Sequence, residues 1–478
     1  MAAPAWIEVA CSAPYFVTSS GDAWTPVGHN SAITWPDLNG GFGHRDLPRL
    51  ARHLEMLAAH GVTCIRLMLE YCRGEHRYFE QPVGRFKPRM VQYWDDLFQL
   101  CERFGLRILL TPFDTFWMWI RWRYHPYNTK NGGPCEKRSG LLLCRETRAA
   151  IKNRLAFATE RWGGSGTLFA WDLWNEIHPS YAENSAECFS EFIDDVGGFL
   201  RSAEIRLHGR AHLQTVSIFS PHMVLDSRIP ETIFRHPALD FANTHFYEEG
   251  TIDDPRNTVD PAVSIARLTR GALSEIEASC EMRMRPFFDS EHGPIHAFKD
   301  RHKSLPEPFD DEYFRHMQWA HFASGGAGGG MRWPNRKPHI LTRGMHEAQR
   351  GLAAFLPLID WSGFRRKNPA GEWDEREVRE QGIHLFGCGD TRQAVLWMLR
   401  ADSIGPNGML DRTREALRPT IRVPGLSPGR YRVTGWDTLA GAAVSSMDLN
   451  LAAGELLRFE VPITTDLAIA VRHIGIDS

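Results

Sequence analysis

No stretch of this chain is long and apolar enough to span a bilayer, which removes transmembrane helices from consideration. Strong charge of either sign is lacking too: the formal net charge is -3 and the pI is near 6.7. Without a basic field to gather phosphates, nucleic acid and anionic membrane surfaces are not expected as partners. The nine cysteines of the 478 residues include no CxxC pair, so neither a zinc knuckle nor a redox dithiol is indicated. Cys64 and Cys101 lie inside apolar stretches and read as small buried thiols. The amino terminus, MAAPAWIEVACSAPYF, has neither the positive start nor the continuous apolar run of a secretory signal; together with reduced thiols this gives the expectation of a cytoplasmic setting. The glycine run at 325–330 is followed by no Lys-Ser or Lys-Thr and does not fit GxGxxG, so it predicts close backbone packing rather than a phosphate loop. His292 and His296 have the i, i+4 spacing of zinc ligands, but Gly293 and Pro294 between them disfavour the helix that would align them. No metal and no cofactor are expected.

What the chain does have is an ordinary globular composition, 43% hydrophobic and 24% charged, and a length that calls for more than one core. From about residue 15 to 333, short apolar runs alternate with amphipathic helical patterns, as βα units of a parallel sheet do. Candidate strands are 16–17 with 27–29, 63–69, 107–113, 168–174, 214–219, 241–246, 286–289 and 329–333. Runs such as CIRLML and RILLTPF are continuously apolar, as strands buried on both faces are. Leu47, Leu50, Leu54 and Leu57 follow Asp46, a candidate N-cap, and precede Gly61; Trp94, Leu97, Phe98, Cys101 and Phe104 precede Gly105. Both read as amphipathic helices stopped by glycine. Eight such units fit an α/β fold of the (β/α)8 TIM barrel type better than an open sheet. The barrel is expected over 1–358, a charged linker over 359–380, and a small antiparallel β-sandwich over 381–478, where IHLFGC, AVLWMLR, TIRVPG, RYRVTGW, LLRFEV and LAIAVR are separated by turn residues. That second domain carries no catalytic constellation and is expected to pack against and stabilise the barrel.

Polar residues that close the apolar strands of a parallel barrel converge on one face. The fourth strand closes on Asn175 and Glu176 in LFAWDLWNEIHP, and the seventh on Glu291 in RPFFDSEHGP. Cleaving a glycosidic bond takes such a pair, one carboxylic acid protonating the leaving oxygen and one carboxylate attacking the anomeric carbon. The acid needs burial to hold its proton, which Trp171 and Trp174 are expected to supply to Glu176; the nucleophile needs nearby donors or positive charge. Arg66, a cation in the apolar run CIRLML, demands a carboxylate partner. In NTHFY, two-residue alternation puts His245 and Tyr247 on one face.

WNE at the fourth strand with SEHG at the seventh resembles clan A of the glycoside hydrolases, and family 5 most of all, over residues 15–335. The resemblance implies a retaining glycosidase without cofactor, with Glu176 as acid/base, Glu291 as nucleophile and Asn175 on the sugar 2-hydroxyl. It further implies that Arg66 is the family's second-strand arginine, that His245 and Tyr247 lie against the two carboxylates, and that Trp333 in MRWP stacks under the sugar. Many cellulase-like members have a histidine after the third strand; here TPFDTFWMW puts Asp114 there, followed by a long loop, 115–144, whose Trp117, Trp119, Trp122, Tyr124 and Tyr127 wall a pocket or simply pack. Asp114 and Trp117 are the substrate-binding candidates from this region. The expected substrate is a small β-glycoside, an oligosaccharide or an equivalently configured furanoside, cut in exo fashion. Endo action on polymers, glycosyl transfer, a silent carbohydrate-binding barrel and an unrelated metal-dependent barrel enzyme stand as alternatives. Oligomeric state is not legible.

Overall fold

In the computed structural model the described residues are 4–42, 44–71, 78–278, 285–295, 304–366 and 379–475. Five of the apolar runs form a parallel sheet in sequence order: β4 (Gly28–Ser31), β5 (Cys64–Met68), β6 (Arg107–Thr111), β7 (Leu168–Asp172) and β8 (Leu213–Thr215). Two more, β9 (Ala242–Phe246) and β10 (Phe287–His292), pair with each other in parallel. Every residue of these seven strands is buried, which accounts for their lack of polar alternation. Single-residue parallel bridges link the pieces, Phe219 to His245, His292 to Arg332 and Arg332 to His29.

Two expected strands differ. Residues 16–17 belong not to the first parallel strand but to an N-terminal antiparallel sheet, β1 (Ile7–Val9), β2 (Phe16–Thr18) and β3 (Ala23–Trp24). A tight turn at 19–22, in which Thr18 N–H donates to Asp22 O, pairs β2 with its own neighbour. Its Phe16 ring then packs 5.1 Å from Phe169 and 5.4 Å from Phe241, covering the amino ends of the parallel strands. Residues 329–333 pair only through Arg332. Glycine has little β preference, and this segment passes through Gly330 at φ 74°.

The helices follow their punctuation. Asp46 accepts the Arg49 N–H and caps Leu47–Ala59, whose Leu50, Leu54 and Leu57 are buried; Pro88–Phe104 ends at Gly105 in the left-handed conformation. Cys64 and Cys101 are fully buried. The glycine run packs tightly as its sequence implied: a Cβ on Gly328 would lie 2.5 Å from the Pro26 carbonyl oxygen.

All six C-terminal runs form strands, in a five-stranded antiparallel sheet of β11 (Ile383–Gly389), β12 (Gln393–Arg400), β17 (Asp466–Gly475), β14 (Gly429–Asp437) and β15 (Ala442–Leu451), and a pair of β13 (Thr420–Val423) with β16 (Leu457–Glu460). The unexpected strand is β15, an edge strand whose largely exposed residues leave no apolar signature. Ile421, Val423, Leu457 and Phe459 share one buried cluster with Leu396, Met398, Val433 and Ile469. The other face of the large sheet joins the main core through Trp397, Trp436 and Ala468. There Asp466 accepts hydrogen bonds from Arg315 Nη2 (2.9 Å), Trp397 Nε1 (3.2 Å) and the Thr438 hydroxyl. Within the expected linker, Ile359, Trp361 and Phe364 are buried; its residues 367–378 lie outside the described residues.

Candidate active site

Arg66 sits on β5 with its guanidinium fully buried. Nη1 donates to Glu291 Oε2 (3.0 Å) and Asn30 Oδ1 (3.0 Å), and Nη2 to Asp172 Oδ2 (2.8 Å) and Asn175 Oδ1 (2.5 Å). Burial pulls its pKa down, but Asp172 and Glu291 outweigh that and hold it above the usual arginine value. One cation thus gathers residues from four strands or strand ends, and the demand for a carboxylate partner is met twice.

Beyond β7 the chain stays paired with its neighbours: Asn175 N–H donates to Phe113 O and Ile177 N–H to Ser217 O. Between them Glu176 adopts φ 52°, a left-handed conformation that costs a non-glycine residue roughly 1–2 kcal/mol. In β10 the register shifts between Asp289 and Glu291, so that Glu291 pairs opposite His245; such a bulge re-aims a side chain. The carboxylate oxygens of Glu176 and Glu291 and a ring nitrogen of His245 lie within 4.8 Å of one another. His245 Nδ1 is 2.9 Å from Glu176 Oε1, and the Tyr247 hydroxyl donates to Glu291 Oε1 at 2.8 Å.

Burial pushes Glu176 up to about 7, Arg66 opposing and Asp172 adding to the rise. Burial also pushes Glu291 up to about 7, with Glu176 adding while His245, Arg66 and the Tyr247 hydroxyl pull down. Two carboxyls this close share a proton near neutrality. The donors bias its position: Glu291 receives a guanidinium and a phenol, whereas Glu176 faces an imidazole that burial keeps neutral, its pKa lowered to about 4. This trio is also the group of His and carboxylates among the described residues close enough together to hold a metal ion, but Arg66 already supplies a cation against Glu291, which opposes a second. His292 is buried with Nδ1 2.8 Å from Asp289; His296 lies outside the described residues.

Compared by sequence, the chain matches no protein-family model and no curated protein. By structure it is similar to a glycoside hydrolase at TM-score 0.64 and 11% identity, over 99% of this chain and 98% of that one. A family 5 glycoside hydrolase from Bacteroides vulgatus gives TM-score 0.63 and 11% identity, covering 98% of this chain and 92% of that one. A family 5 mannosidase from Rhizomucor miehei gives 0.54 and 15%, covering 74% and 98%. The chain has the fold of the family 5 glycoside hydrolases.

Within that fold a cleft of about 820 Å3 opens over the two glutamates, lined also by Asp114, Trp117, Asn175, Tyr247 and Trp333. Asp114 is buried; its carboxylate accepts the Phe116 and Trp117 N–H groups at a helix start and the Asn175 amide, so it orients Asn175 as well as facing the cleft. Burial pushes it up to about 7. Trp333 is half-buried and packs edge-on to Trp35 at 4.9 Å. Of the aromatic residues in 115–144 only Trp117, with its neighbour Phe116, lines the cleft; Trp122 stacks on His125, and Tyr127 is buried with its hydroxyl on Glu80.

The expectation that Trp171 and Trp174 crowd Glu176 is corrected. The Trp171 indole donates outward to Glu204, because alternation along β7 sends Asp172, not Trp171, towards Arg66; past the strand end, the Trp174 indole donates to the Thr115 hydroxyl and its ring stacks on Phe113. Asp172, Asn30 and Ser217 are the members that sequence reasoning missed. Ser217 Oγ donates to Asp172 (2.9 Å), and Asn30 Nδ2 donates to Ser290 O (2.8 Å). For Asp172 the available signal was a polar side chain inside an otherwise apolar strand, the signal that found Arg66; Asn30 in GHNS and Ser217 past the end of β8 stand in no such contrast.

Proposed function

We propose that this protein is a retaining glycoside hydrolase acting on β-linked glycosides or equivalently configured furanosides, exo in action, with small glycosides or oligosaccharides as substrates. The observation that carries the reading is the pair Glu176 and Glu291, from different strands, with carboxylate oxygens within 4.8 Å in one cleft. Retaining enzymes hold their carboxyl groups roughly 5–5.5 Å apart, while inverting ones leave roughly 6.5–9.5 Å for a water. In this reading residues 1–358 form a (β/α)8 barrel, closed through the bridges at Phe219–His245, His292–Arg332 and Arg332–His29, and 381–478 a β-sandwich joined to it by the linker 359–380.

Glu176, protonated, gives its proton to the glycosidic oxygen as the C1–O bond breaks, and the Glu291 carboxylate attacks C1 to form a glycosyl ester. The leaving alcohol departs. Glu176, now a carboxylate, takes a proton from water whose oxygen attacks C1, and the C1–Glu291 bond breaks to restore both groups. Arg66 and Tyr247 keep Glu291 ionised for attack; His245 orients Glu176 without competing for its proton. Asn175, held by Arg66 and Asp114, is set to read the 2-hydroxyl, and Trp333 to stack under the ring. A cleft of about 820 Å3 is of small-molecule size, which supports exo action on short substrates.

The test is a panel of nitrophenyl β-glycosides and furanosides with wild type, Glu176→Ala and Glu291→Ala, each with azide. Turnover of one sugar by wild type, and a glycosyl azide of inverted configuration from Glu291→Ala, are expected; wild-type rates in both variants would sink the assignment.

A further inference from the structure

The two sides of the cleft mouth differ in chemistry. On one side two large apolar side chains that line the cleft, Phe116 and Ile120, are 52% and 50% exposed, and Trp119 (44%), Val224 (87%) and Leu225 (58%) are exposed as well. They come from two elements, the helix Thr115–Arg121 after β6 and the turn Ser220–Leu225 after β8. β6 and β8 are the two neighbours of β7, the strand that delivers Glu176. The two lips meet over the segment that follows Glu176, since the Trp119 ring is 6.2 Å from His178, and His178 is 4.3 Å from His222. Phe116, Ile120 and His222 line the cleft itself. Burial lowers the pKa of both histidines, His222 to about 4, so both are neutral at neutral pH. Trp119 is fixed in place by Arg138, 4.0 Å from its ring, and by Tyr181 stacked on it.

Across the cleft, the segment that lies between β10 and β4 is polar. It contributes Arg336, Lys337 and Asn335, the last 3% exposed with neither amide atom partnered by the protein. An unpartnered buried amide is costly unless a ligand hydroxyl satisfies it. Phe116, Ile120 and Phe219 thus enter the cleft from the elements that flank the proton donor's strand, and Asn335, Arg336 and Lys337 from the segment across it, beside Trp333.

A glycosidic oxygen within reach of Glu176 carries its aglycone on that residue's side of the cleft. We infer that the substrate's leaving group is apolar, an alkyl or aryl aglycone received by Phe116, Ile120 and Phe219, while the sugar occupies the wall of Asn335, Arg336 and Lys337. Exposed apolar side chains that continue into a cleft mark a binding surface. A leaving sugar would set its hydroxyls against Phe116, Ile120 and Phe219, whose side chains make no hydrogen bonds, with His222 as the polar side chain beside them. The inference rests on the hydrolase reading.

The test uses the full chain and the sugar that the nitrophenyl panel selects. Its methyl, butyl, hexyl and octyl β-glycosides, kept below their micellar concentrations, share one leaving-group acidity and differ only in apolar length. kcat/KM is expected to rise about twofold per methylene, below the roughly fourfold of full burial, and the octyl-to-methyl ratio to fall by about tenfold in Phe116→Ser/Ile120→Ser. A flat series in wild type, or a ratio unmoved in the variant, overturns the inference while leaving the hydrolase intact; no turnover of any glycoside overturns both. Co-sedimentation with phosphatidylcholine vesicles that the variant loses, with the ratio unmoved, assigns these apolar side chains to a membrane surface and overturns the aglycone reading.

Discussion

The carboxyl of Glu176 is held by a left-handed backbone turn at the floor of the cleft, mostly buried, 2.9 Å from a neutral imidazole and close to Asp172 and Glu291. Its folded pKa, raised by burial to about 7 from the usual 4.5, has a consequence for stability independent of the reaction. Between those values the folded state binds more protons than the unfolded state, so this group's contribution falls as pH rises from about 4.5 to about 7. Glu176→Gln keeps the shape and removes the charge. It is expected to match wild type in urea midpoint at pH 4 and to exceed it at pH 8, by an amount on the order of 1–3 kcal/mol. Equal midpoints at both pH values would mean that the folded carboxyl is not perturbed. Arg66 shows the opposite logic: its pairs with Asp172 and Glu291 leave no neutral replacement that satisfies both acids.

At the scale of elements, the way the eighth segment joins β10 and β4 depends on its glycines. A methyl on Gly328 meets the Pro26 carbonyl oxygen at 2.5 Å and the Phe288 ring at 2.8 Å, whereas one on Gly198, in the helix Gly198–His208 at φ -61°, meets nothing within 4 Å. Gly328→Ala is therefore expected to lower unfolding free energy by about 1–3 kcal/mol through overpacking, and Gly198→Ala to raise it by about 0.4–1 kcal/mol through the unfolded chain's entropy. Urea titrations of the two variants check this; the same sign for both would show that the local packing is not what sets them apart. The elements themselves were largely legible: Asp46 and Gly105 bracket helices because a cap and a left-handed stop are local chemistry. Not legible were Phe16, whose pairing is decided by its own hairpin turn, and β15, whose edge position leaves one face in water.

Over the whole molecule, the C-terminal sheet is continuous with the main core, and Asp466 lies on that seam, its pKa held well below the carboxylate range as Arg315, His316 and Thr438 outweigh burial. Removing it leaves Arg315, 3% exposed, without its carboxylate. Asp466→Ala is expected to cost roughly 3–5 kcal/mol. Because the seam is shared, tryptophan fluorescence and far-ultraviolet circular dichroism should report one coincident transition in wild type; two separated transitions would show that the parts unfold independently.

Seven of the parallel strands, the helix stops, the antiparallel character of the C-terminal part and the candidates Arg66, Asn175, Glu176, His245, Tyr247 and Glu291 were readable from the amino acids alone, since hydrophobic period, capping chemistry and a charge inside an apolar run are local. It took the folded arrangement to make Asp172 and Asn30 share Arg66, to turn Trp171 to Glu204 instead of Glu176, and to bring Phe116, Ile120 and His222 of two distant segments into one cleft with the proton donor. Those outcomes depend on which strands become neighbours and which face of each turns inward, and both are set by the closure of many non-local contacts at once.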